Sequence, residues 1–150
     1  AKFNNKYLGT FGEFGTFSFY YSHQITSGEG GMIVCNNLQN YNIIKSLRSH
    51  GWSRGTAFHN FFKKKFKKLD DRFLFINSGY NLRPTDIQAA IAHNQFKRLN
   101  KFISVRKYNR TKIIEKIKKN KKWNNQFHFI TPSHQINPSW FGLPILINKK

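Results

Sequence analysis

Apolar and polar side chains alternate in Thr16-Phe17-Ser18-Phe19-Tyr20-Tyr21, which predicts a strand. Met32-Ile33-Val34-Cys35 predicts a second, with Ser27-Gly28-Glu29-Gly30-Gly31 turning between them. The period then lengthens. Leu38, Tyr41, Ile44 and Leu47 share one face of a helix predicted over about 38–49, capped by Asn36 or Asn37 and ended by His50-Gly51-Trp52. Residues 53–78 hold neither period and read as a long, basic, aromatic loop. Thr85-Asp86-Ile87-Gln88 has the form of a capping box opening a helix to about residue 99. A second pattern, Phe102, Val105, Asn109, Ile113 and Ile117, can continue it, with Lys107, Arg110, Lys112 and Lys116 on a solvated outer face. Strands are predicted at Phe127 to Ile130 and Trp140 to Ile147, Pro144 placing the latter near an edge or bulge. No internal repeat interrupts this α/β order.

Composition narrows the class. At 150 residues, 39% hydrophobic and 17% aromatic, the chain has the material for a core and the length of one domain or part of a larger one. No run approaches the roughly 20 apolar residues of a membrane span. The start at Ala1 has no signal-peptide pattern, and the stop falls in mid-pattern at Ile145-Leu146-Ile147, so a fragment of a cytoplasmic protein is expected. The single cysteine, Cys35, excludes an internal disulfide and a cysteine-only metal site; no metal is expected. The formal net charge of +20 raises a nucleic-acid partner. Its lysines are scattered, with runs only at Lys63-Lys64-Lys65, Lys67-Lys68 and Lys118 to Lys122. Lys, Asn, Ile and Phe are abundant together, as AT-rich coding produces. Drift plus attraction for phosphorylated ligands outweighs specific nucleic-acid recognition.

Four places carry chemistry. Gly9, Gly12 and Gly15 allow tight turns, and a phosphate loop is weakly indicated because no helix follows. Ser18, on the predicted strand, offers a hydroxyl; alone, such a serine is usually a plain surface or core residue. His23 follows in the turn, and an imidazole titrates near neutrality, which suits proton transfer. Asn81 stands where a turn enters a capped helix, a reasonable anion site. Arg83 either adds charge there or partners Asp86. His50 either serves the chemistry or is a histidine favoured by a helix C-terminal dipole.

Together, Phe17 to Met32, Leu47 to Arg54, Gly79 to Ile91 and Ser139-Trp140-Phe141-Gly142 resemble the DegT/StrS-type sugar aminotransferases, pyridoxal phosphate enzymes of fold type I. The resemblance runs from Gly9 to about Pro144. It implies the end of the large cofactor domain over residues 1–99, then a linking helix and the start of the small C-terminal domain over 100–150. In the family, the serine matching Ser18 binds the cofactor phosphate. The asparagine matching Asn81 reaches across a dimer interface to the neighbouring phosphate. His50 opens a loop near the active site, where it assists the chemistry or contacts the sugar nucleotide. The acid for the ring nitrogen and the stacking aromatic lie upstream of Ala1.

The position of His23 is normally the lysine that forms the Schiff base. A small branch has histidine there and dehydrates the sugar. One histidine subgroup also carries an iron–sulfur cluster on cysteines, but residues 53–78 contain none. The resemblance therefore implies a 3-dehydratase of a nucleotide-linked 4-keto-6-deoxyhexose, using pyridoxal or pyridoxamine phosphate, with His23 as base and then acid. An amino acid such as glutamate recharges the cofactor. The expected setting is deoxysugar and surface-polysaccharide (lipopolysaccharide O-antigen) synthesis by a cytoplasmic homodimer, with neither a membrane partner nor a specific nucleic acid. The rival readings are a sugar aminotransferase, a basic nucleic-acid-binding module and an inactive scaffold chain.

Overall fold

The computed structural model describes residues 1–124 and 127–148. Its elements run β1 (Lys2–Phe3), β2 (Lys6–Tyr7), β3 (Phe14–Ser18), β4 (Gly31–Cys35), α1 (Leu38–Leu47), α2 (His59–Lys65), a 3-10 turn (Asp71–Phe73), α3 (Asp86–Lys119), β5 (Phe127–Phe129), β6 (Ile136–Asn137) and β7 (Ile145–Ile147). The chain forms two units. One comprises Ala1–Leu8, Ser18–Gly31 and Ile87–Lys150; the other comprises Gly9–Phe17 and Met32–Asp86.

In the second unit, β3 pairs with β4. Glycine is required where β3 starts: a Cβ on Gly15 would lie 1.6 Å from the Gly9 carbonyl oxygen, and Gly9 itself has φ +88°. The glycine run is thus a close backbone crossing rather than a phosphate loop. Helix α1 is capped as the sequence indicates, Asn37 Oδ1 accepting from Gln39 N at 2.8 Å and Asn40 N at 3.1 Å. Its inward side is polar. Ser46 is fully buried and its Oγ accepts from Asn77 Nδ2 at 3.1 Å. Buried Asn42 donates to Leu38 O and accepts from Ala57 N. Leu74 is the one large hydrophobic side chain buried among the described residues.

The segment 53–78 is not a bare loop. Phe62 and Phe66, one turn apart, stack with an interplanar angle of 2° and help set α2. The segment is clasped by side chains: Ser53 Oγ lies 3.0 Å from His59 Nδ1, and Asp71 accepts from Lys63. A helix of seven residues is too short to declare a period in a stretch of lysine and phenylalanine.

In the first unit, β1 stands between β2 and β6, antiparallel to both. β5 pairs antiparallel with β7, Phe127 opposite Ile147 and Phe129 opposite Ile145. Trp123 packs on both phenylalanines, at 4.7 Å and 5.9 Å between ring centroids. The last strand begins only after Pro144, which has no N–H for a ladder. The two helical patterns after residue 85 are one continuous α3 of 34 residues.

The half-buried stripe of α3 includes Gln88, Gln95, Leu99, Phe102, Arg106, Arg110 and Ile117, while Val105, Asn109 and Ile113 are exposed. Arg110, read from the sequence as solvated, turns inward. Its guanidinium lies 3.7 Å from the Trp140 ring centroid and donates to Ile130 O. Lys107 is likewise half-buried and donates to Asn137 Oδ1. Hydrophobic periodicity cannot see these residues, because their long apolar stems bury while their heads bond carbonyl oxygens.

Candidate active site

Ser18 closes β3. Its Oγ accepts from Tyr20 N at 3.2 Å, a local bond that ends the strand earlier than its aromatic alternation suggests. The bond uses an oxygen lone pair and leaves the hydroxyl proton to donate. The side chain is exposed.

Beyond Ser18 the chain forms a loop with two differently held halves. Residues 26–30 are knitted to Phe19. Ser27 N and Thr26 Oγ1 donate to Phe19 O at 2.9 Å and 3.2 Å, Phe19 N donates to Gly30 O at 2.8 Å, and Ser27 Oγ donates to Glu29 O at 2.8 Å. Gly28 takes φ +84°, the left-handed value that favours glycine in this turn.

The other half, residues 21–25, carries His23. Its N–H donates to Tyr20 O at 3.0 Å. Its half-buried ring is bracketed edge-on by Tyr20 at 5.5 Å and Phe141 at 5.9 Å, the latter at 88°. The Tyr20 phenol is pushed above its ordinary range by its hydrogen bond with Tyr21, then by burial and by the Glu29 charge. Tyr20 is therefore a neutral hydroxyl beside His23 at neutral pH. Two residues of α3 also hold the loop. Arg106 Nη2 donates to Gln24 O at 3.1 Å, and Gln88 Nε2 donates to Glu29 O at 3.1 Å.

The second unit unites the other two motifs. His50 N donates to Tyr80 O at 2.7 Å, Tyr80 N to Leu47 O at 2.7 Å, and Leu82 N to Arg48 O at 2.9 Å. Ser49 and Asn81 form an antiparallel bridge, so Asn81 and the residue preceding His50 are backbone partners. Asn81 is exposed. His50 has φ +59°, left-handed for a non-glycine residue. It is not the α1 cap, which is Arg48. Its Nε2 lies 3.4 Å from Arg83 Nη2, and its ring lies 5.3 Å from Trp52. The Arg83 guanidinium also sits 5.5 Å from the Trp52 ring centroid.

Ser18 and His23 therefore belong to one unit and His50 and Asn81 to the other. Sequence reasoning missed Arg106, Phe141 as a ring partner of His23, and the Arg83–His50–Trp52 cluster. Arg106 and Phe141 lie far from His23 in the chain; the adjacency of Arg83 to Asn81 was the available signal for the cluster. Among the described residues no group of three or more His, Cys, Asp or Glu side chains is placed to hold a metal ion.

The serine at the end of β3 and the histidine in the turn after it lie in one unit, and the paired SHGW and GYNLR segments lie in the other. The sequence pattern of the DegT/DnrJ/EryC1/StrS aminotransferase family matches residues 1–150, and the chain belongs to that family.

Among its relatives is the GDP-4-keto-6-deoxy-D-mannose 3-dehydratase of Escherichia coli O55:H7, 39% identical over 153 residues, covering 99% of this chain and 37% of the relative. The GDP-perosamine synthase of Escherichia coli O157:H7 is 38% identical over 104 residues, covering 69% of this chain and 24% of the relative. The chain thus matches between about a quarter and little more than a third of the length of these curated relatives.

Two solved structures of GDP-4-keto-6-deoxymannose 3-dehydratase share its fold. One carries lysine for histidine and asparagine for the serine just before it; it superposes with a TM-score of 0.81 at 34% identity, covering 99% of this chain and 38% of that one. The other holds a trapped PLP–glutamate geminal diamine, with a TM-score of 0.79 at 35% identity and the same coverage. The chain has the fold of a segment of these pyridoxal phosphate enzymes.

Proposed function

We propose that this chain is part of a pyridoxal/pyridoxamine phosphate-dependent enzyme that removes the 3-hydroxyl of a nucleotide-linked 4-keto-6-deoxyhexose. The carrying observation is His23, held half-buried between Tyr20 and Phe141 at the place where aminotransferases of the family have lysine. The consecutive Ser22-His23 reproduces the serine–histidine order that was exchanged in the dehydratase variant above.

The residues present fit the cofactor. Ser18 is exposed with its oxygen already accepting from Tyr20 N, so its hydroxyl proton would donate to a phosphate oxygen of the bound cofactor. Asn81 is exposed and is read as the amide that reaches the phosphate of a partner subunit in a homodimer. Pyridoxamine phosphate, when bound, supplies the amine that joins the 4-keto carbon and the conjugation that lets a neighbouring hydroxyl depart. His23 takes the proton from C4′ and returns one to the departing 3-hydroxyl oxygen, first as base and then as acid. Tyr20, neutral and edge-on, limits the imidazole's swing. His50, with Arg83 beside it, is read as assisting the chemistry or contacting the sugar nucleotide.

Residues 1–99 are read as the end of the large domain and 100–150 as the linking helix and start of the small one. Glutamate recharges the cofactor, as its adduct in a relative supports. The setting is cytoplasmic deoxysugar synthesis for surface polysaccharide. The second reading, transfer of an amino group to the same substrate class, is favoured by the GDP-perosamine synthase relative.

In the full-length enzyme, His23→Asn is expected to retain the cofactor by equilibrium dialysis and to lose about 10²–10⁴-fold in rate, the scale of a proton-transfer group. An undiminished rate would remove His23 from the chemistry.

A further inference from the structure

We infer that Arg106 is a positioning residue for His23. This inference rests on the reading of His23 as the proton-transfer group, but its structural part stands by itself.

The two halves of the loop after β3 differ in how they are held. Residues 26–30 fold onto Phe19 through three hydrogen bonds and are braced internally by Ser27 Oγ to Glu29 O. Residues 21–25, which carry the imidazole, have among the described residues a local backbone bond, His23 N to Tyr20 O, a side-chain bond between Tyr21 and Tyr20, and a long-range bond, Arg106 Nη2 to Gln24 O. The carbonyl that Arg106 grips belongs to the residue just after His23. A guanidinium bonded to a carbonyl is a charge-assisted contact, stronger than a neutral one.

Arg106 is itself held in place. It lies on the half-buried stripe of α3, one turn before Arg110, whose guanidinium is packed on Trp140. Its Nη1 is enclosed, although no hydrogen-bond partner faces it. An enclosed guanidinium with one nitrogen unmatched carries a desolvation cost, and it is not what helix stability alone selects. The Gln24 bond is the contact that this placement secures. Trp140 also precedes Phe141, whose ring meets His23 edge-on. Arg106 and Arg110 thus fix both sides of the imidazole: one through the turn that carries it, the other through the segment that packs against it. A group that moves a proton between two defined atoms loses rate steeply when displaced by an ångström. A tether on the adjacent peptide is a direct way to prevent that.

The test uses Arg106→Gln and Arg106→Lys in the full-length enzyme, with Lys112→Gln on the exposed face of α3 as control. Two quantities are read: kcat and KM for the nucleotide sugar, and the His23 ring resonances in ¹⁵N-histidine-labelled protein. Arg106→Gln is expected to lower kcat about 10–100-fold with KM and cofactor affinity little changed, and to broaden or split the His23 signals. Arg106→Lys, which keeps the charge and a donor, is expected to recover part of both.

Unaltered His23 resonances and kcat in a folded Arg106→Gln would overturn the inference. So would equal losses in the Gln and Lys variants together with an equal fall in thermal stability, since that pattern marks a merely structural arginine. If His23 is not the proton-transfer group, the resonances still change in Arg106→Gln while kcat does not. Failure of the functional reading is therefore distinguishable from failure of the tether.

Discussion

Gly51 and Gly79 show how single residues set the site. A Cβ on Gly79 would fall 2.1 Å from Gly51 N and 2.6 Å from His50 C; one on Gly51 would fall 1.7 Å from Asn77 O. Glycine is required because two backbones touch, which is what lets the peptide at His50 bond that of Tyr80. Gly79→Ala is expected to cost about 1–3 kcal/mol, the usual scale of overpacking. It should also separate His50 from Arg83, read as a lowered urea midpoint and a loss of the Trp52 fluorescence environment; an unchanged midpoint would contradict the crossing. Sequence reading found Gly79 and His50 as parts of two motifs but could not join them. Buried Ser46, Ser53 and Asn42 were equally invisible, because polar residues read as surface until their partners are known.

Among the elements, those with local causes were legible. The Asn37 cap, the β3–β4 pair and the helix from Asp86 arise from neighbours in sequence. The phase of α3 was not, because its inward stripe is chosen by distant carbonyls at Gln24 and Ile130. The segment 53–78 was misread for a related reason: α2 and the 3-10 turn are clasped by side-chain bonds rather than by an apolar period.

One clasp has a pH signature. Asp70 accepts from Arg72 Nε, Nη2 and backbone N, and these bonds lower its carboxyl from the ordinary 3.8 to about 2. A carboxylate depressed on folding stabilises above its unfolded pKa, and that contribution is lost as pH falls through the folded value. The 3-10 turn should therefore loosen between about pH 4 and about 2, a window set by these two values. An NMR titration is expected to place the Asp70 carboxyl midpoint near the lower end. A midpoint at the ordinary carboxylate value would show that the clasp does not form in solution.

For the molecule as a whole, the family was legible because the motif residues are contiguous, whereas the surfaces that complete the enzyme were not. Leu38, Ile87 and Ile147 are each more than 70% exposed, at 73%, 74% and 77%. Such apolar surface fits the proposed assembly, in which further domain structure and a second subunit cover it. The charge of +20 was legible only as a number, since counterion release by scattered lysines selects phosphates without reading a sequence.

The central claim is that histidine at position 23 directs the reaction to elimination. The most direct measurement is the product released by the full-length enzyme from a nucleotide-linked 4-keto-6-deoxyhexose, with pyridoxamine phosphate and glutamate, identified by mass spectrometry. The account predicts a 3-deoxy sugar. Accumulation of a 4-amino sugar as the wild-type product would contradict it and leave amino transfer as the activity of this chain's enzyme.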